Sequence, residues 1–286
     1  MLEPTTAANS FNQELTDHEF NQLSAFIYNE SGIKLPPVKR IMLQCRLQKR
    51  LRELQMSSFR EYCDYLFSHS GGDAEIVSML DVVSTNKTDF FREPTHFDFI
   101  SNTMLPEFME GSRGGSFSAW SAGCSSGEEP YTLAFVLNEF MLTHPTFSYT
   151  ILATDLSTKI LQQAVTAIYP EERVTVVPMH LRQKYLLRSK DRQNPTVRIA
   201  PLIRQHVSFA RLNFMDSTYS SVPADLHLVM CRNVLIYFDR ATQEKVINKL
   251  CTRLRPNGYL ILGHSESMLN MNLPLQQIKP TIYRKV

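Results

Sequence analysis

From about residue 116 the chain alternates short apolar runs with amphipathic helical ones, and this alternation limits the possible folds more than any other feature. Ser116 to Ser121 reads as a strand, a Gly-containing loop follows, and a helix is predicted from Pro130 to Met141. Ser148 to Ala153 is a second strand leading to Asp155, after which Ser157 caps a helix running to about Ile168. Further strands are predicted at Val207 to Leu212, Leu226 to Cys231 and Tyr259 to Leu262. A helix from Thr242 to Leu254 and a Pro256-Asn257-Gly258 turn precede the last of these. Strands separated by helices of this length pair in parallel, so the expected fold is α/β with a mostly parallel, doubly wound sheet. Between Tyr169 and Gln205 the alternation fails. Tyr185-Leu186-Leu187 and Val197-Arg198-Ile199 flank the polar loop SKDRQNP, which predicts a small antiparallel β insertion. The tail, Gln276 to Val286, reads as a hairpin.

Up to about residue 85 the pattern is helical throughout. Thr16-Asp17-His18-Glu19 has the form of a capping box, and Phe20, Leu23, Ile27 and Tyr28 would share one face of the helix it opens. Gly32 ends that helix and Pro36-Pro37 resets the chain. A second helix, about Val38 to Leu54, has Ile41, Leu43, Leu47, Leu51 and Leu54 as its apolar set. Ser57-Ser58 caps a third with Phe59, Tyr62, Leu66 and Phe67. Gly71-Gly72 breaks the chain before a fourth from Glu75 to Val83.

Composition excludes several classes. The formal net charge of +2 does not suggest nucleic acid, and no apolar run is long enough to span a bilayer. The first dozen residues lack the basic-then-apolar pattern of a signal peptide and read as a frayed end. Five scattered cysteines with no CxxC argue against a disulfide framework or a zinc site and for a reducing cytoplasm, with most of the thiols in the core.

The loop after the first strand reads WSAGCSSGEEPY. Gly123 and Gly127 would let a ligand approach the main chain, beside the free N–H groups of a helix N-terminus. Glu128 and Glu129 stand where a dinucleotide's pyrophosphate would rest and would repel it. They suit a ligand bearing an ammonium or sulfonium, as S-adenosylmethionine does; alternatively, both acids simply favour a helix N-terminus. Asp155, at a strand end, could accept ribose hydroxyls or serve only as a local cap. Asn213 and Phe214 could offer adenine a hydrogen bond and an apolar wall. Arg232-Asn233 would be a costly pair to bury without a polar ligand, unless the arginine is satisfied within the loop.

These segments, with STNKTDFFRE from Ser84, LATDLS, CRNVLIYF and GYLILGHSES, resemble in order the CheR-type chemotaxis receptor glutamate methyltransferases, from about residue 15 to the end. The resemblance implies a helical N-terminal domain (1–85), a linker contributing to the cofactor site (86–115) and a Rossmann-like class I S-adenosylmethionine-dependent methyltransferase domain (116–286) whose β insertion covers about 170–206. It implies cofactor contacts from Asn86, Thr88, Arg92, Glu129, Asp155, Asn213, Phe214, Arg232 and Asn233, with Arg92 and Tyr237 beside the transferred methyl. It implies S-adenosylhomocysteine as product, no metal, and methyl-accepting receptors as partners. Nothing demands more than a monomer, and Arg92 could instead pair with Glu93 or Glu129. The insertion loop lacks the glycines of relatives that dock on a receptor's C-terminal peptide, so peptide tethering does not carry over.

Methyl transfer to a carboxylate needs no general base, because glutamate is ionised at neutral pH, with a reference pKa of about 4.3. The helical domain carries 8 Lys/Arg and 11 Asp/Glu through residue 85, yet its second helix gathers Lys39, Arg40, Arg46, Lys49, Arg50 and Arg52 before any acid. Such a face would steer an acidic helical bundle, or be merely solvated. Nucleic acid is disfavoured because no aromatics interleave with these charges. A methyltransferase for small molecules or nucleic acid, and a non-catalytic sensor of the same nucleoside, are the competing expectations.

Overall fold

The computed structural model describes residues 14–68, 72–112, 115–269 and 271–286. The chain forms two compact units, one ending at Ser84 and the other beginning at Thr85.

The first unit is built from α1 (Asp17–Ser31), α2 (Arg40–Glu53), α3 (Phe59–Phe67) and α4 (Gly72–Val83). Thr16 and Glu19 form the expected reciprocal capping box, and Gly32 closes α1 at a φ of 72°. Phe20, Leu23 and Ile27 of α1 are buried, as are Leu43, Leu47 and Leu51 of α2 and Phe59, Tyr62 and Leu66 of α3. Four expected core residues are not in the core: Tyr28, Ile41 and Phe67 are exposed and Leu54 is half-buried. Ile41 stands two residues before Leu43, about 200° around a helix of 3.6 residues per turn, so burying the 43-47-51 stripe turns it outward. Among the α2 cations, Arg50 donates to Glu75 (Nη2–Oε2 2.5 Å), which also accepts from the Tyr62 hydroxyl at 2.8 Å. Arg46 donates to the carbonyls of Val83 and Ser84, capping the C-terminus of α4.

The second unit opens with α5 (Thr95–Phe99), a π-helical turn (Ile100–Met104) and α6 (Leu105–Ser112). Phe97, Phe99, Ile100, Met104 and Leu105 belong to the same buried cluster as Phe117, Tyr149 and Ile261 of the sheet, so this stretch is a packed layer and no free tether. There follow β1 (Gly115–Ala122), α7 (Glu128–Thr143), β2 (Phe147–Asp155), α8 (Thr158–Thr166), β3 (Ile168–Pro170), α9 (Met179–Tyr185), β4 (Leu186–Arg188), β5 (Thr196–Ile199), α10 (Pro201–Arg204), β6 (Val207–Arg211), β7 (Leu226–Cys231), α11 (Arg240–Arg253), β8 (Leu254–Leu262), β9 (Leu275–Lys279) and β10 (Ile282–Lys285). The main sheet has the order β6-β2-β1-β7-β8-β10-β9. Its first five strands pair in parallel, and the C-terminal hairpin adds β10 and β9 antiparallel. Strand order reverses between β1 and β7, which opens a crevice at their C-terminal ends.

The expected insertion is the three-stranded antiparallel sheet β3-β5-β4. Its third strand and α9 were not anticipated, because each is a short segment with little periodicity. The Pro256-Asn257-Gly258 segment does not precede the last parallel strand but lies inside it. Leu254 pairs with Leu226 and Tyr259 with Leu228, so the intervening residues bulge out of register. Helix α7 starts two residues before Pro130, which makes Glu128 and Glu129 its first turn.

Candidate active site at the strand ends

The loop between β1 and α7 is shaped by backbone geometry. Gly123 has φ +86°, and a Cβ there would collide with Val234 Cγ2. At Gly127 a Cβ would meet the Tyr169 hydroxyl at 2.9 Å. Protein packing and left-handed backbone therefore call for glycine at both positions. Ser125, at φ +50°, donates its N–H to Asp155 Oδ2 (2.8 Å) and its hydroxyl to the Asn86 carbonyl (2.9 Å). Asp155 Oδ1 accepts the Ser157 N–H at 3.0 Å, so this carboxylate sets the mouths of both β1 and β2.

Glu128 and Glu129 are both buried. Glu128 is engaged by Arg173 and by the Ser126 hydroxyl (2.6 Å), Glu129 by the Ser121 hydroxyl (2.7 Å) and by Arg232 Nη1 (3.1 Å). Burial raises both carboxyl pKa values above the ordinary range, and the partners only moderate this. Arg232 also binds Glu93 through Nη2 at 3.1 Å and donates to the Arg92 carbonyl, with its guanidinium 5.5 Å from the Phe97 ring centroid. One buried arginine thus joins β7, α7 and the segment before α5. Its two Nη atoms are satisfied within the protein, the alternative the sequence left open, while its buried Nε has no hydrogen-bond partner among the described residues. Arg92 pairs with neither Glu93 nor Glu129; its Nη1 donates to the Lys87 carbonyl at 3.1 Å, and Arg232 takes both acids.

Four non-glycine residues of these loops, Phe91, Glu93, Ser125 and Asn233, have positive φ. Such backbone is uncommon outside glycine and tends to gather at functional sites.

Two family models cover the chain. Residues 18–84 match the CheR methyltransferase all-alpha domain, and residues 86–284 match the CheR methyltransferase SAM binding domain. The chain belongs to the CheR methyltransferase family. It is 38% identical to a chemotaxis protein methyltransferase of Borreliella burgdorferi over 98% of this chain and 99% of that one. It is 34% identical to the Escherichia coli chemotaxis protein methyltransferase over 94% and 91% of the two chains. Chemotaxis protein methyltransferase 2 of Pseudomonas aeruginosa is 32% identical, over 95% of each. The protein is accordingly an S-adenosylmethionine-dependent methyltransferase of the chemotaxis system.

Within this CheR domain the structure brings the expected residues to the strand ends. Asn86 and Thr88 are tied there through their carbonyls, by Ser125 and Arg173 (2.8 Å). Phe90 is buried, and the Phe91 N–H donates to the Thr132 hydroxyl at 3.2 Å. Asn213 follows β6 and turns its side-chain oxygen toward the Met215 N–H (3.0 Å), while Phe214 is buried edge-on against Tyr219 and Phe238. Tyr237 ends a single 3₁₀ turn, half-buried. The donor set suits the cofactor. It has carboxylates for an ammonium and for ribose, and the first turn of α7 presents acids where a phosphate binder would present none.

The six cations, Lys39 just before α2 and five within it, do not form one face. Arg46 and Arg50 turn inward to the partners given above, and Arg40 pairs with Asp17 at 2.7 Å. Lys39, Lys49 and Arg52 remain exposed.

Three residues of the site were missed. Glu266 is buried and accepts backbone N–H groups; His96 and His264 stand beside Glu93. The GHSES segment was legible as a motif, but nothing local reveals what its glutamate touches. Glu93, His96 and His264 bring ligating atoms within 4.8 Å of one another. Glu93 is already committed to Arg232, to Asn233 Nδ2 (3.4 Å) and to the His264 N–H (3.2 Å). Burial disfavours its charge, but Arg232 and that N–H hold its carboxyl below the ordinary range. Burial, with Arg232 nearby, depresses His96 to about 4.

Proposed function

We propose that this chain transfers the methyl group of S-adenosylmethionine to glutamate side chains of methyl-accepting chemotaxis receptors, forming glutamyl methyl esters that serve sensory adaptation. The observation that carries this reading is the match of both units, over almost the whole chain, to chemotaxis protein methyltransferases. When bound, the cofactor supplies an electrophilic methyl on a sulfonium and leaves as S-adenosylhomocysteine. Asp155 holds the ribose, on a carboxylate oriented by the N–H groups of Ser125 and Ser157. Glu129 receives the methionine end, Asn213 and Phe214 flank adenine, and Arg232 and Asn233 shape the pocket from β7. Asn86, Thr88 and Arg92 close over it.

The acceptor carboxylate arrives ionised, so the residues have to align it and exclude water, not deprotonate it. Its charge is neutralised in the transition state, so a strong anion trap would slow the reaction. Arg92 therefore orients the carboxylate from a half-buried position, and the Tyr237 hydroxyl directs the attacking oxygen. This chemistry calls for no Lewis acid, and we propose that the enzyme uses no metal. Lys39, Lys49 and Arg52 steer the acidic receptor bundle, with Arg46 and Arg50 holding the helix that displays them. The enzyme works as a cytoplasmic monomer. Among the described residues no helix is long and apolar enough to cross a membrane.

The test is transfer of labelled methyl from S-adenosylmethionine to receptor-containing membranes, read as base-labile label. Wild type should label the receptor, and Asp155→Ala and Arg92→Ala should each lose about tenfold or more. Cofactor binding without receptor labelling would move the acceptor elsewhere, to a small molecule or a nucleic acid. No cofactor binding would end the reading.

A further inference from the structure

The loop that carries Asn233 and Tyr237 leaves β7 and must be held at a fixed height above the sheet. Its N–H groups at 233–235 are held by one side chain, while Gln243 Nε2 donates to the carbonyls of Leu235 (2.9 Å) and Phe238 (3.1 Å). Glu266, 6% exposed, accepts the N–H groups of Val234 (2.8 Å) and Leu235 (2.7 Å) on Oε1, and those of Asn233 (2.9 Å) and Gly263 (2.6 Å) on Oε2. Among the described residues no cation pairs with it, so its buried charge rests on four peptide N–H dipoles. Cys231 and Leu262 are register partners at the ends of β7 and β8, so the carboxylate staples the two chains where both leave the sheet.

The surroundings are built to this arrangement. Asn233 takes φ +60°, which aims its N–H at Glu266. A Cβ on Gly263 would stand 2.6 Å from Asn233 Nδ2 and 2.9 Å from its backbone nitrogen, so the close approach requires glycine. Downstream, the Tyr237 N–H donates to Val234 (3.2 Å) and the Phe238 N–H to Leu235 (3.0 Å), closing the 3₁₀ turn on the two residues that Glu266 holds. On its other side Val234 fills the space against Gly123, so the same staple sets the distance to the β1 loop.

We propose that Glu266 is the positioning residue of this loop: it fixes the 3₁₀ turn through four backbone hydrogen bonds and so places the Tyr237 hydroxyl for methyl transfer. This rests on the role given to Tyr237 above. A glutamine has one acceptor oxygen, and its NH₂ group would face two N–H donors, so Glu266→Gln removes half of the staple at nearly constant volume.

The experiment joins hydrogen exchange with a double-mutant cycle on the full chain. In Glu266→Gln the amides of 233–235 should exchange about tenfold faster while those of β1 and β7 keep their protection. The rate constant for receptor methylation should fall about tenfold. In a Tyr237→Phe background the same substitution should cost less than about threefold, because the group it places is gone. An equal loss in both backgrounds, wild-type turnover, or unchanged exchange at 233–235 would overturn the proposal. Should the glutamine variant not fold, Glu266→Asp, which draws the carboxylate back by one methylene, passes through the same cycle and is judged by the same outcomes. Exchange needs no acceptor. A wild-type chain that fails to methylate receptors would sink the acceptor assignment, and exchange at 233–235 would still decide whether Glu266 locks the loop.

Discussion

Each unit buries one arginine among carboxylates, and the two arginines do different things. Arg50 lies between α2 and α4, bound to Glu75 and Glu53. Its side chain is 14% exposed, and Glu75 keeps the Tyr62 hydroxyl as a further partner. Arg232 is 2% exposed and is shared by Glu93, Glu129 and the Arg92 carbonyl. Arg50 closes a helix pair whose surroundings contain no strand ends. Arg232 gathers three segments at the C-terminal edge of a parallel sheet, amid backbone of positive φ. A buried ion pair therefore does not identify a site by itself. Its place at a topological switch point, where the chain must also adopt uncommon dihedrals, does.

The largest test of this contrast is a pair of truncations. Arg232→Met should cost about 3–5 kcal/mol, since it leaves Glu93 and Glu129 buried without a cation. Arg50→Met should cost about half of that, because Glu75 retains Tyr62 and Glu53 can turn to water. Urea denaturation of both variants, with exchange to locate the loss in each unit, decides the matter, and equal costs would erase the distinction.

A smaller effect should appear with pH. His96 is held near 4 in the folded chain, against about 6.5 when unfolded. The unfolded chain then binds the proton first, so stability falls as pH drops from about 6.5 toward 4. His227, also near 4, acts in the same direction, whereas the buried acids Glu128, Glu129 and Glu266, held above their ordinary range, oppose it. The difference between wild type and His96→Gln isolates the one group. Between pH 7 and pH 5 wild type should lose on the order of 2 kcal/mol more than the variant. The effect belongs to the second unit; His18, the described histidine of the first, is exposed. An identical pH slope in both proteins would mean that His96 is not held neutral.

The smallest expected change is at the surface. Lys49→Gln with Arg52→Gln should leave folding within about 0.5 kcal/mol of wild type. Receptor methylation at low salt should slow about two- to fivefold, with the gap closing as salt is added. A gap that persists at high salt would argue for a specific contact in place of steering.

The capping box at Thr16, the alternation that yields β1, β2, β6, β7 and β8, and the acid ending β2 were all legible, because each is a relation among neighbours in the chain. Most of the helical core was legible in the same way. Tyr28, Ile41 and Phe67 were misplaced because a periodic stripe fits more than one rotation of a helix until a partner helix chooses one. The partners of Arg232 were not legible. They lie 103 and 139 residues away, and no local pattern tells Arg92 from Arg232 as the one that takes the acids. Glu266 escaped for a further reason: its four partners are backbone N–H groups, which every residue but proline carries, so no side-chain chemistry announces them.

Hydrogen-bonding periodicity and turn chemistry act over a few residues, so the sequence alone was enough to determine the helices of the first unit, the alternating strands and helices of the parallel sheet, and the family to which they belong, but not α5, α6, β3, α9 or α10. The tertiary structure decided which carboxylate each arginine neutralises, why Gly123 and Gly127 are glycines, and which α2 cations face solvent. Those outcomes depend on strand ends that meet only after the sheet has assembled. There the loss of water makes every unpaired charge costly, and the geometry of the crevice selects the pairing.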